Sequence, residues 1–250
     1  MTAWHVLEYV ERLQPRWLVI ENVVHMRRWA RYPGFVARLE QAGYHVAPQV
    51  LDAAAFGVPQ TRRRLFILAD REVPPPDLTG HRRAVRTVAD ILDMQAGYTS
   101  RPLYSDRRAV PTLARAERAI DALGRRVPFL IVYYGSDAAG GWQRLDRPLR
   151  TVTTLDRFGL VTWESDEPML RMLQVNELRR AMGFDDAFKL SFGTRRDRIR
   201  LLGNGVCPPV MAAIVSHLTD GARTSKLAPP GVQPGILLDE RALLAPSGAM

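Results

Sequence analysis

Trp17-Leu18-Val19-Ile20-Glu21-Asn22 decides how this chain is read: four apolar residues in a row, then a carboxylate and an amide. A continuous apolar run too short for a helix is the pattern of a parallel strand buried on both faces. The polar residues at its carboxyl end then stand where open α/β sheets bind ligands. Upstream, Trp4, Leu7, Val10 and Leu13 recur at helical spacing behind Thr2, a cap residue, and Pro15 stops the helix. Downstream, residues 33–42 read as a helix closed by Gly43, and His45–Leu51 and Leu65–Ala69 read as strands. Residues 52–63 are too few for a crossover helix, so these two strands are expected to pair antiparallel. The first 70 residues therefore predict helix, strand, helix and hairpin, which is half of an α/β sheet. Strand 17–20 needs parallel neighbours and covering helices that the residues before it do not supply. Either another chain completes the sheet, or Met1 is internal to a longer protein.

Further along, the Pro74-Pro75-Pro76 segment marks a linker, and residues 81–150 read as a basic, irregular section holding one helix, Thr112–Leu123, and one strand, Phe129–Tyr134. A glycine-rich loop follows at 135–141, then a strand-like stretch at 150–154 and helices near 175–182, 194–202 and 208–218. From Asp220 onward Pro, Gly, Ser and Ala dominate, and a disordered tail is expected. The expected divisions are 1–72, 73–150, 151–219 and 220–250.

Of 250 residues, 46% are hydrophobic, enough for a sizeable core. No apolar run approaches the roughly 20 residues that span a bilayer, and the first residues do not form a basic-then-apolar leader, so no membrane association and a cytoplasmic location are expected. The single cysteine, Cys207, excludes an internal disulfide, and the histidines at 5, 25, 45, 81 and 217 never fall at metal-ligand spacing with it, so no metal is expected. A formal net charge of +9 favours an anionic partner, nucleic acid above all. The excess peaks in residues 71–150, with 14 basic against 9 acidic side chains.

Four stretches carry the chemistry. They are Glu21-Asn22-Val23, then Gly57-Val58-Pro59-Gln60-Thr61-Arg62-Arg63-Arg64, then Arg147-Pro148-Leu149-Arg150-Thr151-Val152-Thr153, and Gly203-Asn204-Gly205-Val206-Cys207-Pro208-Pro209-Val210. Unpaired arginines between the apolar runs 56–59 and 65–68 are costly unless an anion or a polarised base partners them. Activating carbon 6 of a cytosine requires that charge building on N3 and O2 be stabilised, a task suited to a carboxyl group and an arginine. In this order and spacing the four stretches resemble the cytosine-C5 DNA methyltransferase family, over about residues 5–218.

That resemblance implies an α/β fold: the second half of an S-adenosylmethionine-dependent, Rossmann-like methyltransferase sheet plus a small irregular target-recognition domain. It implies catalytic roles for Glu21, Arg62 and Arg64, with Arg64 on the target base, Arg62 supporting the pocket and Gln60 ordering the loop. Asn204 and Val206 are implied to close part of the pocket for S-adenosyl-L-methionine. Asn22, Gln60, Arg63, Thr112, Arg107 and Arg108 are implied on the substrate side, with double-stranded DNA as partner and a base flipped from the duplex. Arg82, Arg83, Arg125 and Arg126 are further candidates for phosphates, near Tyr133, Tyr134 and Trp142.

The chain departs from the family in two places. The Phe-x-Gly-x-Gly cofactor turn and the Pro-Cys pair that carries the nucleophile are absent, and Cys207 reads as a buried small side chain. By itself the chain is therefore not expected to transfer methyl groups, and an N-terminal methyltransferase chain or segment is expected to complement it. The alternatives are a non-catalytic DNA-binding remnant and a relative that acts on transfer RNA. The restriction-modification look of the chain favours DNA.

Overall fold

The computed structural model describes residues 2–135 and 140–219. The expected tail from Asp220, and part of the loop 135–141, lie outside the described residues, as does the side chain of Thr2. The first section follows the sequence closely: α1 (Thr2–Leu13), β1 (Trp17–Asn22), α2 (Tyr32–Gln41), β2 (His45–Asp52) and β3 (Arg63–Asp70). Two short 3-10 turns, Val24–Arg28 and Ala53–Phe56, were not anticipated.

The three strands form a sheet of order β1-β3-β2, antiparallel throughout, with Leu51 opposite Arg64 and Glu21 opposite Phe66. Period-two alternation sends Leu65, Ile67 and Ala69 to one face, against Leu7, Val10, Phe35 and Leu39 of α1 and α2. Phe66 and Leu68 point the other way, into the main core. The expected burial of 17–20 between parallel neighbours is not what the structure shows. β1 is an edge strand, half-buried along its whole length, because among the described residues only β3 pairs with it.

A second sheet has order β4-β8-β7-β5-β6, again antiparallel. It comprises β4 (Arg101–Pro102), β5 (Phe129–Val132), β6 (Trp142–Arg144), β7 (Phe158–Glu164) and β8 (Glu167–Met172), backed by α3 (Val110–Leu123). The β7–β8 hairpin lies at its centre and had no signal in the sequence reading. It turns at Ser165, at φ 56°, and Asp166, with no glycine to announce it. This sheet runs across the expected divide at residue 150.

The strand expected at 150–154 is absent. That segment is held by side chains instead: Val152 donates its backbone N–H to Gln60 Oε1 at 2.8 Å, and the Thr151 hydroxyl donates to the Thr61 carbonyl at 2.9 Å. A single parallel bridge joins Gln60 to Leu149.

Three helices close the main core: α4 (Val175–Ala181), α5 (Arg195–Asn204) and α6 (Pro208–Thr219). Residues 195–219 are long and apolar enough to resemble a membrane span. The stretch is nevertheless broken between α5 and α6, opens on four arginines, and buries Val210, Ala213, Ile214 and Leu218 in the core, as a core helix pair does.

Candidate active site

The site begins where β1 ends and β3 starts. Because Glu21 faces Phe66 across the ladder, the period-two rule puts Arg64 and Arg62 on the same face as Glu21. Glu21 Oε1 forms an ion pair with Arg64 Nε at 3.2 Å, with about a fifth of each side chain exposed. Burial drives the Glu21 pKa above the ordinary carboxylate value, and the guanidinium groups of Arg64 and Arg62 only partly oppose it.

Arg62 is buried, and its guanidinium donates to three carbonyls: Val152 at 3.0 Å, Gly203 at 2.9 Å and Gly205 at 3.0 Å. Desolvation, then the neighbouring Arg64, lowers its pKa. Its backbone N–H donates to Asp52 Oδ1 at 3.0 Å, which fixes the loop before β3. Gln60, fully buried, spends its whole amide on protein: Nε2 donates to the Ala181 carbonyl at 3.0 Å while Oε1 accepts from Val152. Three of the four stretches singled out in the sequence are thus bonded together directly. Glu21 joins them at a cavity of about 10 Å³ that it shares with Arg62, Arg64, Phe66, Val206 and Cys207.

The turn at 203–205 explains its glycines unequally. A Cβ on Gly203 would lie 2.4 Å from the Thr153 backbone, so α5 can approach residues 153–154 only with glycine there. Gly205 has an ordinary φ of −70° and caps α5. Asn204, the last residue of α5, is exposed, and Val206 is half-buried at the small cavity. Cys207 is buried, and desolvation pushes its thiol up to about 11, so it is a protonated packing group at neutral pH.

A family description, C-5 cytosine-specific DNA methylase, matches residues 2–220. The chain belongs to this family. Among similar proteins, the Type II methyltransferase M.HgiDI of Herpetosiphon aurantiacus is 31% identical over 56% of this chain and 47% of its own length. The Type II methyltransferase M.SacI of Streptomyces achromogenes is 29% identical over 84% of this chain and 62% of its own length. The chain thus spans about half to three fifths of the length of these relatives. Its fold is similar to a DNMT2 mutant of Spodoptera frugiperda, with a TM-score of 0.61 and 13% identity over 87% of this chain and 71% of that one. It is also similar to the S. pombe Dnmt2 methyltransferase, with a TM-score of 0.57 and 18% identity over 83% and 66%. The α/β methyltransferase fold expected from sequence is therefore the fold found.

The remaining candidate residues scatter. Asn22 accepts from the Val23 N–H at 2.8 Å and shapes the turn after β1, and Arg63 is exposed at the start of β3. Thr112 is buried and hydrogen-bonded to Tyr133. Arg108 donates to the carbonyls of Leu103 and Pro102, whereas Arg107 is exposed. Neither Thr112 nor Arg108 is presented to solvent as a free contact.

Sequence reasoning missed a buried bidentate pair. Arg171 donates to both oxygens of Glu177, at 2.8 and 2.7 Å, and Glu177 also accepts from the backbone N–H groups of Asp93 and Gln174. The pair ties β8, α4 and the backbone at Asp93 together. Its only sequence signal was the Gln174-x-x-Glu177 capping spacing.

Proposed function

We propose that this chain is the part of a DNA (cytosine-5-)-methyltransferase that supplies the base pocket and the DNA-reading surface, in a restriction-modification setting. The observation that carries the proposal is the convergence of Glu21, Arg62 and Arg64 on one face at the end of β1, braced by residues 152, 203 and 205. A flipped cytosine meets Glu21 at N3 and Arg64 at O2, the two atoms on which charge builds when carbon 6 is attacked. Glu21 faces N3, where it can hold a proton against the base, and Arg64 leaves Glu21 for O2. Arg62 and Gln60 act by holding the walls in register.

S-adenosyl-L-methionine supplies the methyl group when bound. The residues here fit it only in part. Asn204 offers an amide and Val206 an apolar contact, but no Phe-x-Gly-x-Gly turn is present to seat the rest, and no Pro-Cys pair provides a nucleophile. On this reading an N-terminal methyltransferase chain or segment would supply both. The half-buried edge of β1, beside the pocket, is a surface fit to receive it.

The test is tritiated methyl transfer by the protein recovered from its source cells with whatever accompanies it, against the same chain expressed alone. Transfer to cytosine carbon 5 of duplex DNA by the first and none by the second is expected. Transfer to transfer RNA instead would reassign the substrate. DNA binding without any transfer would leave a binding module.

A further inference from the structure

Beside the pocket, two adjoining cavities of about 480 and 520 Å³ share Thr154, Leu155 and Arg196 and run between the 154–157 segment and α5. With ten residues, α5 gives this groove a wall about 15 Å long. Its charged lining consists of Arg157, Arg195, Arg196 and Arg200 against Asp156 and Asp197.

Those charges are not equivalent. Arg195 is tied to Asp156 at 2.7 Å, and Asp197 is engaged with the Thr194 hydroxyl and N–H in the cap of α5. Arg157 donates to the Tyr133 carbonyl. Arg196 and Arg200 are exposed, make no ion pair among the described residues, and stand one turn apart on one face of α5. The far end of the groove is Asn204, whose neighbours Gly203 and Gly205 are the carbonyls gripped by Arg62. Arg62, which holds those carbonyls, also lines the small cavity of Glu21 and Arg64, so this end of the groove is joined to the site through one side chain. Leu155, exposed, forms the opposite lip.

We propose that this groove is a phosphate track for the nucleic-acid strand carrying the target base, with Arg196 and Arg200 each contacting a backbone phosphate. The inference rests on the proposed function and adds a strand-holding surface outside residues 81–150. Its length and paired cations suit a run of phosphodiesters. A compact ligand would use only one end of it.

The test is the salt dependence of binding to a short fluorescein-labelled DNA duplex by the full chain and by its Arg196→Ala/Arg200→Ala variant. Loss of two phosphate contacts should reduce the slope of log K against log salt by about 1.8 and weaken binding on the order of tenfold, equally for unrelated sequences. The Arg196→Lys/Arg200→Lys variant should restore the slope, and both variants should melt with the parent. An unchanged slope in the alanine variant overturns the track while leaving the proposed function standing. Lost S-adenosylmethionine binding with unchanged DNA binding also overturns it and gives the groove to the cofactor. A parent chain that binds no duplex at low salt overturns both readings.

Discussion

Arg62 and Arg64 are two residues apart in the chain, yet their replacement by alanine should have very unequal consequences for stability. Arg62→Ala strips the donor from two buried carbonyls, at Val152 and Gly203, and a part-buried one at Gly205. Hydrogen bonds to a charged group contribute about 1.5–3 kcal/mol each. Water entering the vacated space and relief of the buried charge offset part of the sum, leaving a cost of about 3–5 kcal/mol. At about 2–4 °C per kcal/mol for a chain of this size, Tm should fall by roughly 10 °C. Arg64→Ala removes one partly exposed ion pair at 3.2 Å and should cost under about 1 kcal/mol. Far-UV circular dichroism in urea and on heating measures both. Arg62→Lys should be nearly as unstable as the alanine variant, since one ammonium does not span three carbonyls on two segments. A loss below about 1 kcal/mol for Arg62→Ala, or equal losses for the two arginines, would refute the division between a bracing and a base-facing arginine.

Gly203→Ala should destabilise by at least about 1–3 kcal/mol, because its Cβ would meet the Thr153 backbone at 2.4 Å; a parent-like urea midpoint would show that α5 can move away. Cys207→Ala should leave transfer by a complemented enzyme within about twofold, and an inactive variant would make this thiol the nucleophile. His81 stacks on Phe56 at 4.4 Å, and burial, then Arg83, His217 and Arg82, hold its pKa below 6.5. The fold thus favours the neutral ring, so this stabilisation is complete above about pH 6.5 and is lost as pH falls through the folded-state value. Tm should therefore decline less steeply below pH 6.5 in His81→Phe than in the parent, and coincident slopes would remove His81 from the account.

Local pattern was enough to place the first five elements, since each is short, capped or stopped by proline or glycine, and uniform in period. It failed at β7–β8, where Ser165-Asp166 makes the turn without glycine, and at 150–154, where Gln60 and Thr61 take the place of a neighbouring strand. At the site, the chemistry of Glu21 and the arginines was legible from residue type and resemblance. The roles of Arg64, Arg62 and Gln60 were implied by the resemblance alone; the bonds that brace them were not legible, because they run across 90 to 143 residues to partners that local sequence does not show. The groove along α5 was invisible for the same reason. Its arginines are spread over a helix and a distant loop that only the close approach at Gly203 brings together.

The measurement closest to the central claim is methyl transfer and duplex affinity determined side by side for Glu21→Gln and Arg64→Ala in the complemented enzyme. The account predicts that transfer falls by on the order of 10² or more while the Kd for DNA stays within about threefold. Loss of affinity in proportion to loss of transfer, in both variants, would contradict it and make these residues part of the binding surface alone.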